Sequence, residues 1–377
     1  MLYDKIYSCV ISYKTTLKLR RKDMSKALKI IRNILLVILI LLILFVLVCF
    51  IMQNVSRSND RQKLTEHNLC NLVSAGDIKL NVPVFGSSTP DHTIVALPGS
   101  GDATFAPAMQ SFAGYVESNC RFAVIERPGY GLSDVGKSDM TAEYVVECSR
   151  TALKNAGIEA PYVLMPHSLG GIYATYWVNT YPDEIEGVLF LDSVFDPDEQ
   201  MSLPPNFYDH LFNMLVSTGI FRMLEGVEIS NLLVEWLPEA YQSDAVMMLN
   251  YRPYNKSISS ELALIDDNLQ TAWNSIHSTE CPKIYIYTDP VDLEDTEDIL
   301  HFQYDSYDDI AVTDELIQEE FDAYYEGNDA AYIAKRKEYI EKLGSCEAVQ
   351  IPASHFIYLH KPEETAEQLE RLLSKID

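Results

Sequence analysis

The pattern of apolar and polar positions divides the chain into an N-terminal segment and a longer body. Residues 34–52 form a run of 19 residues without a charged or strongly polar side chain. As an α-helix this run would be about 28 Å long, close to the ~30 Å hydrocarbon core of a bilayer. A core helix is seldom apolar on every side, and a cleaved signal peptide has a shorter apolar run that ends in small residues. The pattern therefore predicts one transmembrane helix over residues 34–52.

The charge around this run predicts its orientation. Residues 1–33 carry nine Lys/Arg against two Asp/Glu, a local charge of +7, whereas the remaining 344 residues carry −33. Positive charge is retained on the cytoplasmic side of a membrane. We therefore expect residues 1–33 to be a basic cytoplasmic segment of a single-pass protein of the cell membrane. Residues 53–76 then form a polar stalk, and the body at 77–377 lies outside the cytoplasm.

The body alternates short apolar runs with helical patterns. The runs are rich in β-branched and aromatic residues and mostly do not alternate with polar ones, as expected for strands buried on both faces. They lie at residues 92–97, 121–125, 162–165, 187–191, 283–287 and 348–351. Helical patterns between them, such as 141–156, a segment from about 169, and 362–375, predict an α/β domain with a mostly parallel central sheet flanked by helices.

Two long stretches interrupt this alternation. Residues 194–280 and 293–343 are mostly helical in pattern, and the second is very acidic. Helices inserted after strand ends commonly cover a binding site. Both stretches are therefore predicted to be helical insertions that form a lid or cap.

Composition narrows the classes of function. A body as acidic as this one repels phosphate backbones, which argues against a nucleic-acid partner. The seven cysteines show no CxxC spacing, and the chain has neither HExxH nor a glycine-rich phosphate loop. We expect no metal and no cofactor. The oligomeric state is left open.

The residues with the clearest chemical signal follow the 162–165 run. There PHSLGG, residues 166–171, leads from a predicted strand into a predicted helix. A serine on such a sharp turn projects its hydroxyl beyond the strand end, and small neighbours are needed because the turn is tight. Ser168 is therefore the candidate nucleophile, and the N–H of Leu169 at the helix start can point at an oxyanion.

Four segments together resemble the α/β-hydrolase family. Its nucleophile motif G-x-S-x-G corresponds to PHSLG at 166–170, with Pro166 as a departure at the first glycine. LPGSG at 97–101 is similar to the family's oxyanion loop, ERPGYGLSD at 126–134 to its RPGxGxSD turn, and PASHF at 352–356 to its G-x-H-F segment. The resemblance covers about residues 77–192 and 281–377 and implies that the N–H of Ser100 is a second oxyanion donor and His355 the catalytic base.

The acid that orients His355 is the least determined member. The family order is serine, then acid, then histidine. Asp292 follows the 283–287 run at about the family's usual place and is the leading choice. Asp192, which ends the preceding run, and Asp289 are the alternatives.

The function implied is a membrane-anchored serine hydrolase. It would cleave a carboxylic ester of an acyl or lipid substrate through an acyl-enzyme on Ser168. A proline iminopeptidase-like aminopeptidase, a non-catalytic binding protein that retains the fold, and acyl transfer to an alcohol remain open at this stage.

Overall fold

The computed structural model describes residues 2–137, 139–224, 234–252, 254–304, 311–327 and 330–376. Parts of the two predicted insertions, residues 225–233, 305–310 and 328–329, lie outside the described residues. The helices are α1 Leu2–Glu66, α2 Phe105–Phe112, α3 Ala142–Asn155, α4 Gly170–Thr180, α5 Phe207–Thr218, α6 Ile220–Leu224, α7 Glu239–Tyr251, α8 Lys256–Ala263, α9 Ile265–Ser275, α10 Leu293–Tyr304, α11 Asp314–Gly327, α12 Ala330–Leu343, α13 Ile357–His360 and α14 Pro362–Leu373.

The predicted transmembrane segment lies within α1, which continues to Glu66. This helix is long and apolar enough to cross a membrane, and nearly all large apolar side chains of residues 34–52 are exposed. The predicted stalk differs from expectation, because residues 53–66 are further turns of α1 that contact the body. Gln53 and Leu64 are both buried there. A polar helix with one buried stripe has the same composition as a polar stalk, so the sequence does not distinguish a packed helix from a stalk.

The described strands form a hairpin and one large sheet. They are β1 Leu72–Ala75, β2 Ile78–Asn81, β3 Val84–Gly86, β4 His92–Leu97, β5 Cys120–Val124, β6 Tyr162–Pro166, β7 Ile185–Leu191, β8 Lys283–Tyr287 and β9 Cys346–Gln350. Strands β1 and β2 form the antiparallel hairpin, and the sheet has the order β3-β5-β4-β6-β7-β8-β9. Its neighbours run parallel except β3 with β5. The mostly parallel sheet of six predicted strands is thus confirmed, while the short strands β1 to β3 were not predicted.

Helices cover both faces of the sheet. Along β4, Ile94 and Ala96 belong to one hydrophobic core, while Val95 and Leu97 belong to the other. The first core includes residues of α2, α7, α14 and the end of α1; the second includes residues of α3, α4 and α12. Burial on both faces explains why the strand runs did not alternate between apolar and polar residues.

Parallel strands bring their carboxyl ends to one edge of the sheet. Ser168 follows β6, the loop at 98–104 follows β4, Asp192 follows β7, and His355 lies five residues beyond the end of β9. The order β4-β6-β7 places the serine turn between its two neighbours, so the topology gathers the residues predicted from sequence at a single edge.

Candidate active site

Ser168 lies on a sharp turn between β6 and α4. Its φ is +51°, in the left-handed region that residues other than glycine rarely adopt. The turn is held from both sides, because the N–H of His167 donates to the Leu97 carbonyl (3.0 Å) and the N–H of Ser168 donates to that of Leu191 (3.2 Å). A Cβ at Gly170 would lie 2.5 Å from the Leu97 carbonyl oxygen, so this position requires glycine. The strained backbone projects the serine side chain beyond the sheet edge.

Pro166, the departure from the usual first glycine, fits this turn. It is the last residue of β6 and lies opposite Leu97 in the parallel register with β4. Its carbonyl accepts a hydrogen bond from the Ser193 hydroxyl (3.2 Å). Proline's fixed φ suits a strand end, so the substitution leaves the turn intact.

The loop after β4 approaches Ser168 from the side opposite β7. A Cβ on Gly99 would lie 3.1 Å from the Cβ of Ser168, so the loop backbone is in contact with the turn. Across the described ranges, neither the N–H of Ser100 nor that of Leu169 donates to a protein acceptor. Both predicted oxyanion donors are therefore available to a ligand.

A buried ion pair holds this loop in place. The guanidinium of Arg127 donates to the carbonyls of Pro98 and Gly99 (2.9 Å for Gly99) and to the carboxylate of Glu261 (2.8 Å). Both charged side chains are completely buried. Burial disfavours the charged guanidinium, but the charge of Glu261 outweighs it and raises the pKa of Arg127 above its usual value. Because Glu261 belongs to α8 in the first insertion, the insertion is tied to the oxyanion loop.

Two buried tyrosines extend this network. The hydroxyls of Tyr130 and Tyr173 both donate to Glu261, and the Tyr130 hydroxyl accepts the N–H of Gly101 (2.9 Å). The completely buried carboxylate thus has three hydrogen-bond partners, as a buried charge requires. Glu261 was not predicted as a site residue, because the sequence of α8 is that of an ordinary polar helix.

His355 is paired with Asp192. Its Nδ1 lies 2.6 Å from Asp192 Oδ2. Burial opposes the charged imidazolium, but the hydrogen bond and the charge of Asp192 outweigh it and raise the pKa of His355. Burial likewise opposes the Asp192 carboxylate, and the hydrogen bond to His355 outweighs it, so that the pKa of Asp192 is lowered. The pair is therefore a hydrogen-bonded carboxylate and imidazole, as a general base requires.

This pairing corrects the expectation for Asp292. The Asp292 carboxylate is exposed and accepts the N–H groups of Glu294 (3.0 Å) and Asp295 (3.1 Å), so it caps the start of α10. Asp289 binds Arg336 through both oxygens (3.0 and 2.6 Å). Asp192 differs from both because its backbone, with φ +42°, follows directly from the strand beside β6.

His167 positions the loop that carries His355. Its Nε2 lies 2.9 Å from the carbonyl oxygen of His355, and the two imidazole centroids are 4.5 Å apart. Burial lowers the pKa of His167 to about 3, so the ring is neutral and donates from Nε2. His167 therefore both packs among neighbouring aromatic rings and hydrogen-bonds the backbone of His355.

A cavity of about 240 Å³ brings these residues together. Its lining includes Ser168, His355, the loop at 99–104 and, from the first insertion, Trp236 and Leu249. Asp102 also lines it, and its carboxylate accepts hydrogen bonds from Thr104 and Tyr358. Burial raises the pKa of Asp102. Among the described residues, no group of three or more His, Cys, Asp or Glu is arranged to hold a metal ion.

A family model described as alpha/beta hydrolase fold matches residues 96–225. The chain has the α/β-hydrolase fold. Two solved structures agree with this fold. One is the haloalkane dehalogenase DatA of Agrobacterium tumefaciens C58, with TM-score 0.52 and 16% identity over 81% of this chain and 96% of that one. The other is a putative lipase, lip1, of Acinetobacter baumannii AYE, with TM-score 0.51 and 17% identity over 85% and 96%.

A curated relative matches the sequence over a shorter range than the solved structures do. Over 150 residues the chain is 35% identical to the uncharacterized protein YbdG of Bacillus subtilis strain 168, which covers 39% of this chain and 45% of that protein. The chain therefore spans less than half the length of this curated relative. The likeness to solved structures concerns the α/β-hydrolase fold alone.

Proposed function

We propose that this chain is a membrane-anchored serine hydrolase that cleaves a carboxylic ester of an acyl or lipid substrate. Ser168 is the nucleophile, His355 the general base and Asp192 the acid that orients it. The observation that carries the proposal is the 2.6 Å contact of His355 with Asp192 beside a cavity that Ser168 also lines.

In this proposal, the hydrogen bond of His355 to Asp192 leaves Nε2 of His355 as the nitrogen that acts as the general base. Because Nδ1–H of His355 donates to Asp192, Nε2 is left unprotonated and can accept the Ser168 proton. The serine oxygen then bonds to the acyl carbon, and the carbonyl oxygen takes up negative charge facing the N–H groups of Ser100 and Leu169. The imidazolium returns the proton to the leaving alcohol as the ester bond breaks. Water, deprotonated by the same nitrogen, releases the acid and restores Ser168.

The Ser168 side chain separates this proposal from other reactions of the fold. The resemblance implies that dehalogenases and epoxide hydrolases use aspartate where this chain has serine. A serine nucleophile forms an acyl-enzyme with esters. The apolar part of the cavity lining, which consists of Trp236, Leu249 and Phe356, suits the acyl group of such a substrate.

The membrane part of the proposal rests on α1. Its apolar part is exposed on all sides outside the body's contact stripe, and the basic residues precede it. We place the N-terminus in the cytoplasm and the α/β-hydrolase domain outside it. A tag at the C-terminus should be accessible to a membrane-impermeant probe in intact cells.

Labelling with a fluorophosphonate tests the nucleophile. The full chain in detergent should form one covalent adduct, and Ser168→Ala should abolish it, while exposed Ser88→Ala should label like the parent. An adduct retained in Ser168→Ala would refute the assignment. No adduct on a folded parent would favour a non-catalytic binding protein.

A substrate panel tests the ester bond. Aryl esters of increasing acyl length should be cleaved, and proline arylamides should not. The reverse preference would indicate an aminopeptidase that uses the same residues.

A further inference from the structure

Helices α5 and α6 present an apolar surface that is open in the structure. Phe207, Leu211 and Met214 follow one another at i, i+4 and i+7, so they lie on one face of α5. Their side chains are 73, 39 and 50% exposed, and the neighbouring Tyr208 and Leu203 are 77 and 63% exposed. Contiguous apolar surface of this kind marks a site of contact with a partner or a membrane.

The opposite face of α5 is packed in the ordinary way. Phe212 contacts Phe221 of α6 (5.1 Å between centroids) and Tyr254 (5.7 Å). The helix is therefore apolar on both its inner and its outer faces. A helix whose outer face meets water carries charged side chains there.

The charges of this segment do not lie on the open face. Residues 203–224 contain one Asp and one Arg, in a chain whose part beyond residue 33 carries −33. Asp209 accepts the N–H of Asn206 in the capping box of α5, and Arg222 pairs with Asp60 of α1 (2.6 Å). The open face, on which the exposed His210 also lies at i+3 from Phe207, thus carries neither of these two charges on an otherwise acidic molecule.

The contacts of α5 and α6 with α1 indicate what surrounds the open face of α5. A Cβ at Gly219, between the two helices, would lie 2.6 Å from the Cys49 carbonyl oxygen, and Cys49 Sγ lies 3.4 Å from Met223 Sδ. Cys49 is three residues inside the apolar run that ends at Met52. At ~1.5 Å per residue the contact of the body with Cys49 therefore lies about 5 Å within the apolar run.

We infer that the open face of α5 lies in the outer interface of the same bilayer that α1 crosses. An element held against the last turns of a membrane span cannot remain in water at that depth. Tyr side chains are favoured at the membrane–water interface, where an apolar body and a polar tip are both accommodated, and Phe and Leu side chains are typical of the apolar face of an interfacial helix. The occupant of the face is thus the lipid bilayer.

This placement deepens the proposed function and rests on it for the substrate. The first insertion supplies both α5 and the cavity residues Trp236 and Leu249, and Leu249 belongs to α7, which packs on α1. A bilayer-embedded ester would therefore meet the lining of the cavity through the same insertion that touches the membrane.

Fluorescence in nanodiscs tests the membrane contact independently of catalysis. Full-length Phe207→Trp, in nanodiscs with brominated phospholipids, should lose more fluorescence than the parent, whose tryptophans are background. Tyr115→Trp is the matched control, since Tyr115 is also an exposed aromatic residue. It follows α2, whose Gln110 contacts His67, 15 residues past the apolar run and roughly 22 Å along a helix. Quenching of Phe207→Trp equal to that of Tyr115→Trp would overturn the inference.

A double variant separates the membrane contact from the reaction. Phe207→Ser with Tyr208→Ser should lower turnover of an ester embedded in vesicles while leaving turnover of a short soluble ester at the parent rate. If the double variant turned over the vesicle-embedded ester as fast as the parent does, the inference would be overturned. The parent could instead be a dimer in detergent, the double variant a monomer, and Phe207→Trp unquenched. That result would assign the open face to a second copy of the chain and would also overturn the inference. Failure of the proposed reaction would remove turnover of both esters but leave the quenching result readable.

Discussion

The sheet edge that carries Ser168 and the insertion that carries α5 differ in how tightly their residues are packed. At the sheet edge, the backbone around Ser168, Gly99 and Asp192 is fixed by short contacts and strained φ angles. In α5, one whole face has no such constraint and is open. The residues proposed to react are therefore held by the sheet edge, while access to them depends on an insertion whose outer face is open.

The buried pair Arg127–Glu261 is where the two regions join. It fixes the carbonyls of the oxyanion loop from one side and α8 of the insertion from the other. Substitutions at the sheet edge should therefore change the rate most, and substitutions at the junction and at the contact of the insertion with α1 should mainly change stability.

The largest expected effect is at the acid of the site. Asp192→Asn should lower turnover by roughly 10⁴-fold, because an amide no longer holds the His355 tautomer that accepts the serine proton. Turnover of an aryl ester is the measurement. Asp292→Asn is the matched variant and should stay close to the parent, since Asp292 caps α10. A large loss in Asp292→Asn with none in Asp192→Asn would reverse the assignment.

The second effect is at the junction. Glu261→Ala leaves the buried Arg127 guanidinium without its partner and should lower the free energy of unfolding by about 3–5 kcal/mol. Urea denaturation in detergent measures it. Glu367→Ala, at an exposed position of α14, should have little effect. Equal stability of the two variants would show that the insertion and the loop are not joined through this pair.

The third effect is at the contact between the insertion and α1. Gly219→Ala places a Cβ 2.6 Å from the backbone of Cys49 and should destabilise this contact by about 1–3 kcal/mol, the usual range for overpacking. Gly76→Ala is matched in φ (+80° against +81°) and would meet nothing within 4 Å. Proteolysis within α5 and α6 should therefore accelerate in Gly219→Ala beyond any change in Gly76→Ala. The same rate in both would argue that α5 and α6 are not seated on α1.

The smallest effect is a shift of the pH profile. His355 must be neutral to accept a proton, so the fluorophosphonate labelling rate should fall as pH drops through its pKa, which Asp192 raises above the usual 6.5. Asp192→Asn removes the raising charge and should move this acid limb to lower pH. An unmoved limb would mean that another group sets it.

Much of the site could be read from sequence because it depends on local backbone requirements. Ser168 and Gly170 are recognisable since a tight turn between strand and helix tolerates few residue types, and the six apolar runs correspond to β4 to β9 along the chain. His355 was implied by the resemblance of PASHF at 352–356 to the G-x-H-F segment of the α/β-hydrolase family.

The acid could not be chosen in the same way. Asp192, Asp289 and Asp292 all follow strands, and what separates them is which strand lies beside β6 and which carboxylate is already used by Arg336 or by a helix end. These are facts of strand order and side-chain contact across more than 160 positions, the separation of Asp192 from His355.

By itself the sequence determined the apolar run of α1, the parallel sheet and the turn that presents Ser168, because each follows from periodicity or from steric limits within a few residues. The tertiary structure decided the partner of His355, the burial of Glu261 against Arg127 and the seating of α5 and α6 on Cys49. Those contacts join residues far apart in the chain, and their geometry exists once the helices have packed on the sheet.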